Sequence, residues 1–397
     1  MQLSARILRQ QSTSEITKVI IKIGQLLLII PSHLKTHERP CQVYLIFFLA
    51  FATILALNAL SLWSRMNTTA QVASLSTILD LSNTACTLNV VIWFVCSGFR
   101  NRRLFSEFVN NFRTDELGAC PKPTRRIYAR VAIVATYIVV FYIFDCYGWM
   151  QIESFEGYLT YTVEKLEYIH THCCLLVYCE IVKLIELRFD KIISNLNGIL
   201  LLNPKKLDDN FFESSKVRIR KSIEDYVMVS NQIDLFNKLY GMAIFFYYID
   251  VLMGFVLGLN SGFILLNEDI GDKDDAQVKW MIVGIYFIFA FMKLLTGIKL
   301  ILGCRAVVLK SAQTGDLVYE ILQEFSISRG YGMSVGIRQD LVIFCKQTMY
   351  IQLNFTAAGF FLIDTSLLSN IIHSAITYLV MLAQLNKTLN NYNCVLI

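Results

Sequence analysis

Apolar residues gather into seven stretches, approximately 43–63, 76–98, 131–150, 168–187, 240–266, 279–302 and 356–385. Each is long enough as an α-helix to cross about 30 Å of hydrocarbon. The second, fourth and last are the least purely apolar, so these three are expected to face protein or water. The last is the most informative. Read as a helix from about Gly359 to Leu385, it carries Ser366, Asn370, His373, Thr377 and Gln384 at intervals of 4, 3, 4 and 7. At about 100° per residue the five fall within an arc of roughly 60°. A membrane helix with one polar seam must hide that seam from lipid, against a neighbouring helix or against water. Water inside a membrane means a pore or cavity.

The outer halves of other stretches also place polar and aromatic side chains at helical spacing. Asp80, Asn83 and Thr87 share a face of the second. Tyr142, Asp145 and Trp149 share one in the third, with Tyr147 beside them. Tyr168 and His172 stand four apart in the fourth, and Asn260 lies in the fifth. An outward-opening cavity lined by such groups suits a small organic ligand, with aromatic faces for its apolar surface and carboxylate and amide groups to orient it. The same residues also fit two plainer roles: Trp and Tyr belts at the membrane interface, or hydrogen bonds between helices. Asp250 and Lys293 sit deeper and could pair or gate. Lys293 lies about 21 Å along its helix from Lys279, so its ammonium is expected to snorkel to the inner face.

The connections differ in length. One side of the chain has loops of roughly a dozen residues; the other has longer pieces with helical patterning. The fourth stretch continues through Leu184, Leu187, Ile192 and Ile193, and Val217 to Ile233 lead into the fifth. Asn203-Pro204 and the polar run to Asn210 separate the two. After the sixth, 307–325 reads as helix up to Ser328-Arg329-Gly330, and 340–352 reads as a separate amphipathic helix. These pieces are expected to form a packed helical layer on the cytosolic side.

Charge orients this arrangement. Outside the sixth span's three lysines, 29 Lys and Arg residues fall in the N-terminal segment and the even-numbered connections, against 4 in the odd-numbered loops and the C-terminal tail. The bias predicts a cytosolic N-terminus and an outer C-terminus, the reverse of a G-protein-coupled receptor. The net charge of +5 is therefore topological, and no nucleic-acid partner is inferred. Composition agrees with a membrane protein: 55% of residues are hydrophobic and 17% charged. Asn67-Thr68-Thr69 and Asn386-Lys387-Thr388 are glycosylation motifs on the expected outer side, and Asn354-Phe355-Thr356 is one on the inner side. No cleavable signal peptide is expected; the run 19–30 reads as a cytosolic or interfacial helix. The eleven cysteines show no metal spacing, and Cys146, Cys173 and Cys174 read as free buried thiols. No phosphate loop, HExxH or other enzyme motif occurs, and no metal or cofactor is expected.

The end of the chain resembles the insect gustatory receptor signature, in which the last helix ends in Thr-Tyr, five hydrophobic residues and Gln-Phe. Thr377-Tyr378, Leu379 to Ala383 and Gln384-Leu385 match it, with Leu385 in place of the Phe. The segment Ala358 to Leu368 also resembles the family's entry into that helix. The resemblance implies an all-α, seven-span membrane protein of one domain. Residues 1–42 would form a cytosolic segment, 43–302 a six-helix ligand-binding bundle, 303–355 cytosolic helices and 356–397 the pore helix with a short outer tail. It implies a homo- or hetero-tetrameric, ligand-gated, non-selective cation channel in the plasma membrane of sensory neurons. Its partners would be a small-molecule tastant, permeant monovalent and divalent cations, and membrane lipid. Ser366, Asn370, His373, Thr377 and Met381 would line the pore, and Gln384 and Leu385 would form its narrowest ring, a hydrophobic gate that survives the Phe-to-Leu change. The apolar spans lean toward a bitter or aversive compound as ligand. The rival readings are an insect odorant receptor subunit and a secondary transporter; repeated halves and broken helices, expected of a transporter, are not seen in the sequence.

Overall fold

A computed structural model describes the chain continuously over 155–200, 209–267, 273–327 and 335–395, and at scattered positions between 52 and 150. Three long helices make the framework: α1 (Phe155–Leu200), α2 (Asp209–Asn267) and α3 (Lys273–Ile327). At 1.5 Å per residue they are about 69, 88 and 82 Å long, more than twice what a hydrocarbon crossing of about 30 Å requires. Each therefore joins a predicted span and its predicted extension in one unbroken element. α1 ends at Leu200 and α2 starts at Asp209, so the last two residues of the run read as a loop, Asp209 and Asn210, already belong to α2. The helix read at 307–325 is the second half of α3.

A fourth helix, α4 (Val335–Tyr350), lies against α3 and α2. It seals one end of the framework. Phe344 packs edge-on against Tyr226 (ring centroids 5.6 Å apart), which in turn meets Phe189 at 5.9 Å. The Tyr226 hydroxyl lies 3.1 Å from Ser311 Oγ, so this aromatic core satisfies its polar tip. Ile192, Leu196, Ile219, Val318, Ile337 and Leu341 complete the packing, all buried. The extensions are thus a packed layer rather than separately solvated helices. On the rim of this layer Lys310 Nζ bonds Glu186 at 2.8 Å and Asp190 at 2.6 Å. Burial opposes the lysine's charge, but these two carboxylates outweigh it and hold its pKa above the usual lysine value.

The final span departs from the sequence reading. It does not enter its helix at Gly359. Thr356–Ala357 (β1) and Phe361–Leu362 (β2) form a small antiparallel hairpin. Ala358 (φ 53°) and Gly359 (φ 79°) make its turn, two consecutive left-handed residues of the kind that tight hairpins demand. Glycine accepts such a φ freely; alanine pays about 1–2 kcal/mol. The helix α5 starts at Thr365 and continues to Val395, beyond the expected Leu385. Asp364 caps it: Oδ1 accepts from the backbone N–H of Ser366 (2.9 Å) and of Leu367 (3.3 Å). The hairpin packs on α2, and α5 packs on α2 and α3.

Among the described residues, two helical stretches, Leu166–Leu200 and Glu213–Asn260, are long and apolar enough to cross a membrane. Thr84–Trp93 and Thr365–Met381 are shorter apolar helices. The predicted N-terminal helix at 19–30 and the Asn67 motif lie outside the described residues.

Candidate functional site

The first candidate is a buried ion pair between α2 and α3. Asp250 and Lys293 meet at 2.9 Å with side chains 0% and 3% exposed. The expected snorkelling of Lys293 is overturned. Single-helix arithmetic gives its distance from the inner face but cannot see that α2 offers a carboxylate beside it. Taking two charges out of water costs several kcal/mol per ion unless further polar contacts complete the site. Each charge has one such contact outside the pair, and among the described residues Lys293 Nζ makes no hydrogen bond. Thr87 Oγ1 donates to Asp250 Oδ1 at 2.7 Å, and Lys293 Nζ lies 3.8 Å from the centroid of the Tyr168 ring, a cation–π contact. His172 Nδ1 lies 3.3 Å from the Tyr168 carbonyl oxygen one turn earlier.

The α2–α3 seam below this pair is made for close approach. Tyr247 OH donates to the Lys293 carbonyl (2.8 Å), and Tyr248 OH to the Gly297 carbonyl (3.1 Å). A Cβ at Gly297 would come within 3.2 Å of the Tyr248 ring, so the absence of a side chain lets the ring pass. Between membrane helices such packing and hydrogen bonding replace the hydrophobic drive available in water.

Three predicted ligand-site residues, Thr87, Tyr168 and His172, therefore converge on one cluster contributed by four helical segments. The sequence allows the two charged members, Asp250 and Lys293, to pair or gate, and of these alternatives the structure shows the pair. A further buried contact, Asn58 Nδ2 donating to Glu167 Oε1, joins the first span to α1 next to Tyr168. Asn58 and Glu167 were missed; Asn58 is a polar residue within an apolar run, whereas Glu167, close behind Glu164-Lys165, reads as the polar end of the preceding loop. Asp145 is fully buried and Tyr142 half-buried on the helical segment 142–147. Asn260 is buried but stands ten residues beyond Asp250, about 15 Å along α2, and is not brought to the cluster. Asp80, Asn83 and Trp149 lie outside the described residues. Cys146, Cys173 and Cys174 are free thiols, but only Cys174 is buried as expected; Cys146 and Cys173 are half-buried. Among the described residues no three His, Cys, Asp or Glu side chains gather into a metal-binding group.

The second candidate is the seam on α5. Leu367, Ile371 and Ala375 form its buried face against the framework. Ser366, Asn370, His373, Thr377 and Gln384 are exposed, as is Met381. The centre of the seam lies about 130° around the helix from the centre of the buried face. The seam thus points away from its own subunit's core. Two hydroxyls on it are satisfied locally: Ser366 Oγ on Asp364 Oδ1 (2.5 Å) and Thr377 Oγ1 on the His373 carbonyl (2.9 Å). Asn370 and His373 present an amide and an imidazole on the same exposed face, and Gln384 lies on it further along the helix. Tyr378 falls within the arc of the buried residues by helical spacing but, further along α5, is half exposed. Leu385 lies within α5, its side chain outside the described residues.

Comparison with known proteins agrees with this architecture. The profile of a family described as 7tm chemosensory receptor matches residues 18–388. The putative gustatory receptor 28b of Drosophila melanogaster is 32% identical over 94 residues, 24% of this chain and 18% of that protein, so the match spans less than a fifth of the relative's length. Among solved structures, the insect olfactory receptor OR5 from Machilis hrabei superposes with a TM-score of 0.57 at 14% identity, covering 94% of this chain and 99% of that one. At that identity the likeness establishes the fold.

Proposed function

We propose that this chain, which belongs to the 7tm chemosensory receptor family, is a subunit of a tetrameric, ligand-gated, non-selective cation channel opened by a small-molecule tastant. The observation that carries the reading is α5: its apolar face is buried on its own subunit while its polar seam is turned out. Four such helices around an axis would put the seams in a shared aqueous path and leave the exposed Ile376 and Val380 for contact between subunits. Gln384 and Leu385 would ring the outer end. The N-terminus would be cytosolic, the C-terminus outside, and all seven spans would cross the plasma membrane of a sensory neuron.

The ligand would bind in the bundle near the Asp250–Lys293 cluster, where an aromatic face, a hydroxyl and an imidazole lie close together. Such a lining suits a bitter or otherwise aversive organic compound. An odorant receptor subunit is the alternative, favoured by the likeness to OR5; the Thr377-Tyr378…Gln384 motif and the gustatory relative favour the taste reading. The test is patch-clamp recording from cells expressing the chain alone and with candidate partner subunits, against a panel of bitter compounds. Single cysteines are then placed along α5. A water-soluble thiol reagent is expected to block current at positions 370, 377 and 384 and to spare 372 and 379. Equal modification of both faces would mean that another element forms the pore.

A further inference from the structure

The hairpin that leads into α5 rests on a single stripe of α2. Asn237, Gly241, Phe245 and Tyr248 recur at intervals of four, four and three, so they share one helical face. Asn237 grips the hairpin's backbone at two points. Its Nδ2 donates to the Asn354 carbonyl at 2.8 Å, and its Oδ1 accepts from the Thr356 N–H at 3.0 Å. One turn on, Gly241 lets the two backbones touch. A Cβ there would stand 2.5 Å from Ala358 N and 3.0 Å from Ala358 Cα, so the turn itself would have to move. Another turn on, the Phe245 ring packs on Phe360 at 4.7 Å and Phe361 at 5.8 Å, and Tyr248 meets Phe361 at 6.2 Å.

The other end of the hairpin is joined to α5 just as closely. Ile363 N–H donates to the Phe355 carbonyl at 2.8 Å, and the next residue, Asp364, is the helix cap. Two residues past Tyr248, the same α2 carries Asp250. A helix displaced at Asp250 carries Asn237 and Gly241 with it, since α2 is continuous between them. Side-chain packing absorbs small shifts by changing rotamer; a backbone-to-backbone seat with two hydrogen bonds has no such slack.

We propose that Asn237 and Gly241 are positioning residues that set where α5 sits relative to α2, so that movement at the buried cluster reaches the gate through the hairpin. The link to gating rests on the channel reading; the seat itself can be tested without current. The full-length receptor is purified in lipid nanodiscs with a cysteine replacing Asn370 on the exposed seam, and its reaction rate with a water-soluble maleimide is followed by mass spectrometry of that peptide. A cysteine replacing Tyr319, exposed on α3, reports any general loosening. Asn237→Ala is expected to change the rate at position 370 about fivefold, the equivalent of roughly one lost hydrogen bond, and to leave position 319 unchanged. Gly241→Ala is expected to act in the same direction. Should that variant fail to fold, Asn237→Ala decides alone. Ala358→Gly, which relieves the turn and keeps the seat, is expected to leave both rates as in the parent.

An unchanged rate at 370 in Asn237→Ala, or equal changes at 370 and 319, would overturn the seat. In patches, the same variant is expected to alter the fraction of time open about as much, with unitary conductance untouched. A changed labelling rate with unaltered opening in an active channel would overturn the coupling. A wild-type chain that passes no current under any condition would count against the channel reading, while the labelling still decides the seat.

Discussion

Replacing Lys293 by Met tests the buried pair most directly. The substitution keeps much of the side chain's volume and removes its charge, leaving Asp250 buried with Thr87 as a hydrogen-bond donor. Breaking a buried pair from one side costs about 3–5 kcal/mol. At 1.4 kcal/mol per decade that lowers the folded-to-unfolded ratio roughly 100- to 4,000-fold, a large part of the 5–15 kcal/mol that holds a typical fold. Removing both charges, Asp250→Leu with Lys293→Met, strands neither, and such replacements are often neutral or better. Thr87→Val should fall between, since a hydrogen bond to a charged group contributes about 1.5–3 kcal/mol. The assay is fluorescence-detected size-exclusion of heated receptor in nanodiscs, read as the fraction surviving as a sharp peak. The expected order of stability is wild type and double variant highest, then Thr87→Val, then Lys293→Met. If Lys293→Met survives heating as well as wild type, the ammonium is solvated and the pair contributes nothing. If the double variant is as weak as Lys293→Met or weaker, the two charges do not act as a unit.

Three further outcomes are expected. An epitope after Ile397 should stain unpermeabilised cells and one before Met1 should not; the reverse pattern would overturn the orientation drawn from charge. Tyr168→Ala or His172→Ala should raise the agonist concentration for half-response roughly 5- to 150-fold, the equivalent of 1–3 kcal/mol, with unitary conductance unchanged; unaltered dose–response curves in receptor that reaches the surface would move the ligand site elsewhere. Leu385→Ala should give current without ligand by wetting the ring, and Gln384→Glu should change divalent permeation or block; a silent, ligand-dependent Leu385→Ala channel would exclude Leu385 from the gate.

Much of this was legible from spacing alone. Thr87, and Tyr168 with His172, stood out because each breaks an apolar run on a helical face. The α5 seam did so for the same reason, and its exposure is what a 100° period predicts. Relations between helices were not legible. Lys293 looked like a residue reaching for water because its partner lies 43 positions away in the chain, on α2. Glu167 gave no hint of Asn58, which is 109 residues distant. The hairpin was hidden by hydrophobicity: Phe355, Ala357, Phe360, Phe361 and Ile363 make 356–363 read as the first turns of a span. Local chemistry did mark the boundary, in the Ala358-Gly359 turn and in Asp364 ahead of Thr365-Ser366, a usual helix start. Average hydropathy outweighed those two signals.

The continuity of α2 also bears on how such a chain can diverge. Asn237 and Asp250 are 13 residues apart on one unbroken helix, one seated on the hairpin, the other in the ion pair. Adding or deleting a single residue between them would rotate one site by about 100° relative to the other and shift it by 1.5 Å. No nearby loop could absorb the change. Homologues should therefore vary freely in sequence along this stretch but hold its length fixed, while insertions and deletions collect in the turns that join the helices. An alignment in which the interval between these two positions drifts by one or two residues would indicate that the two sites have become uncoupled in that lineage.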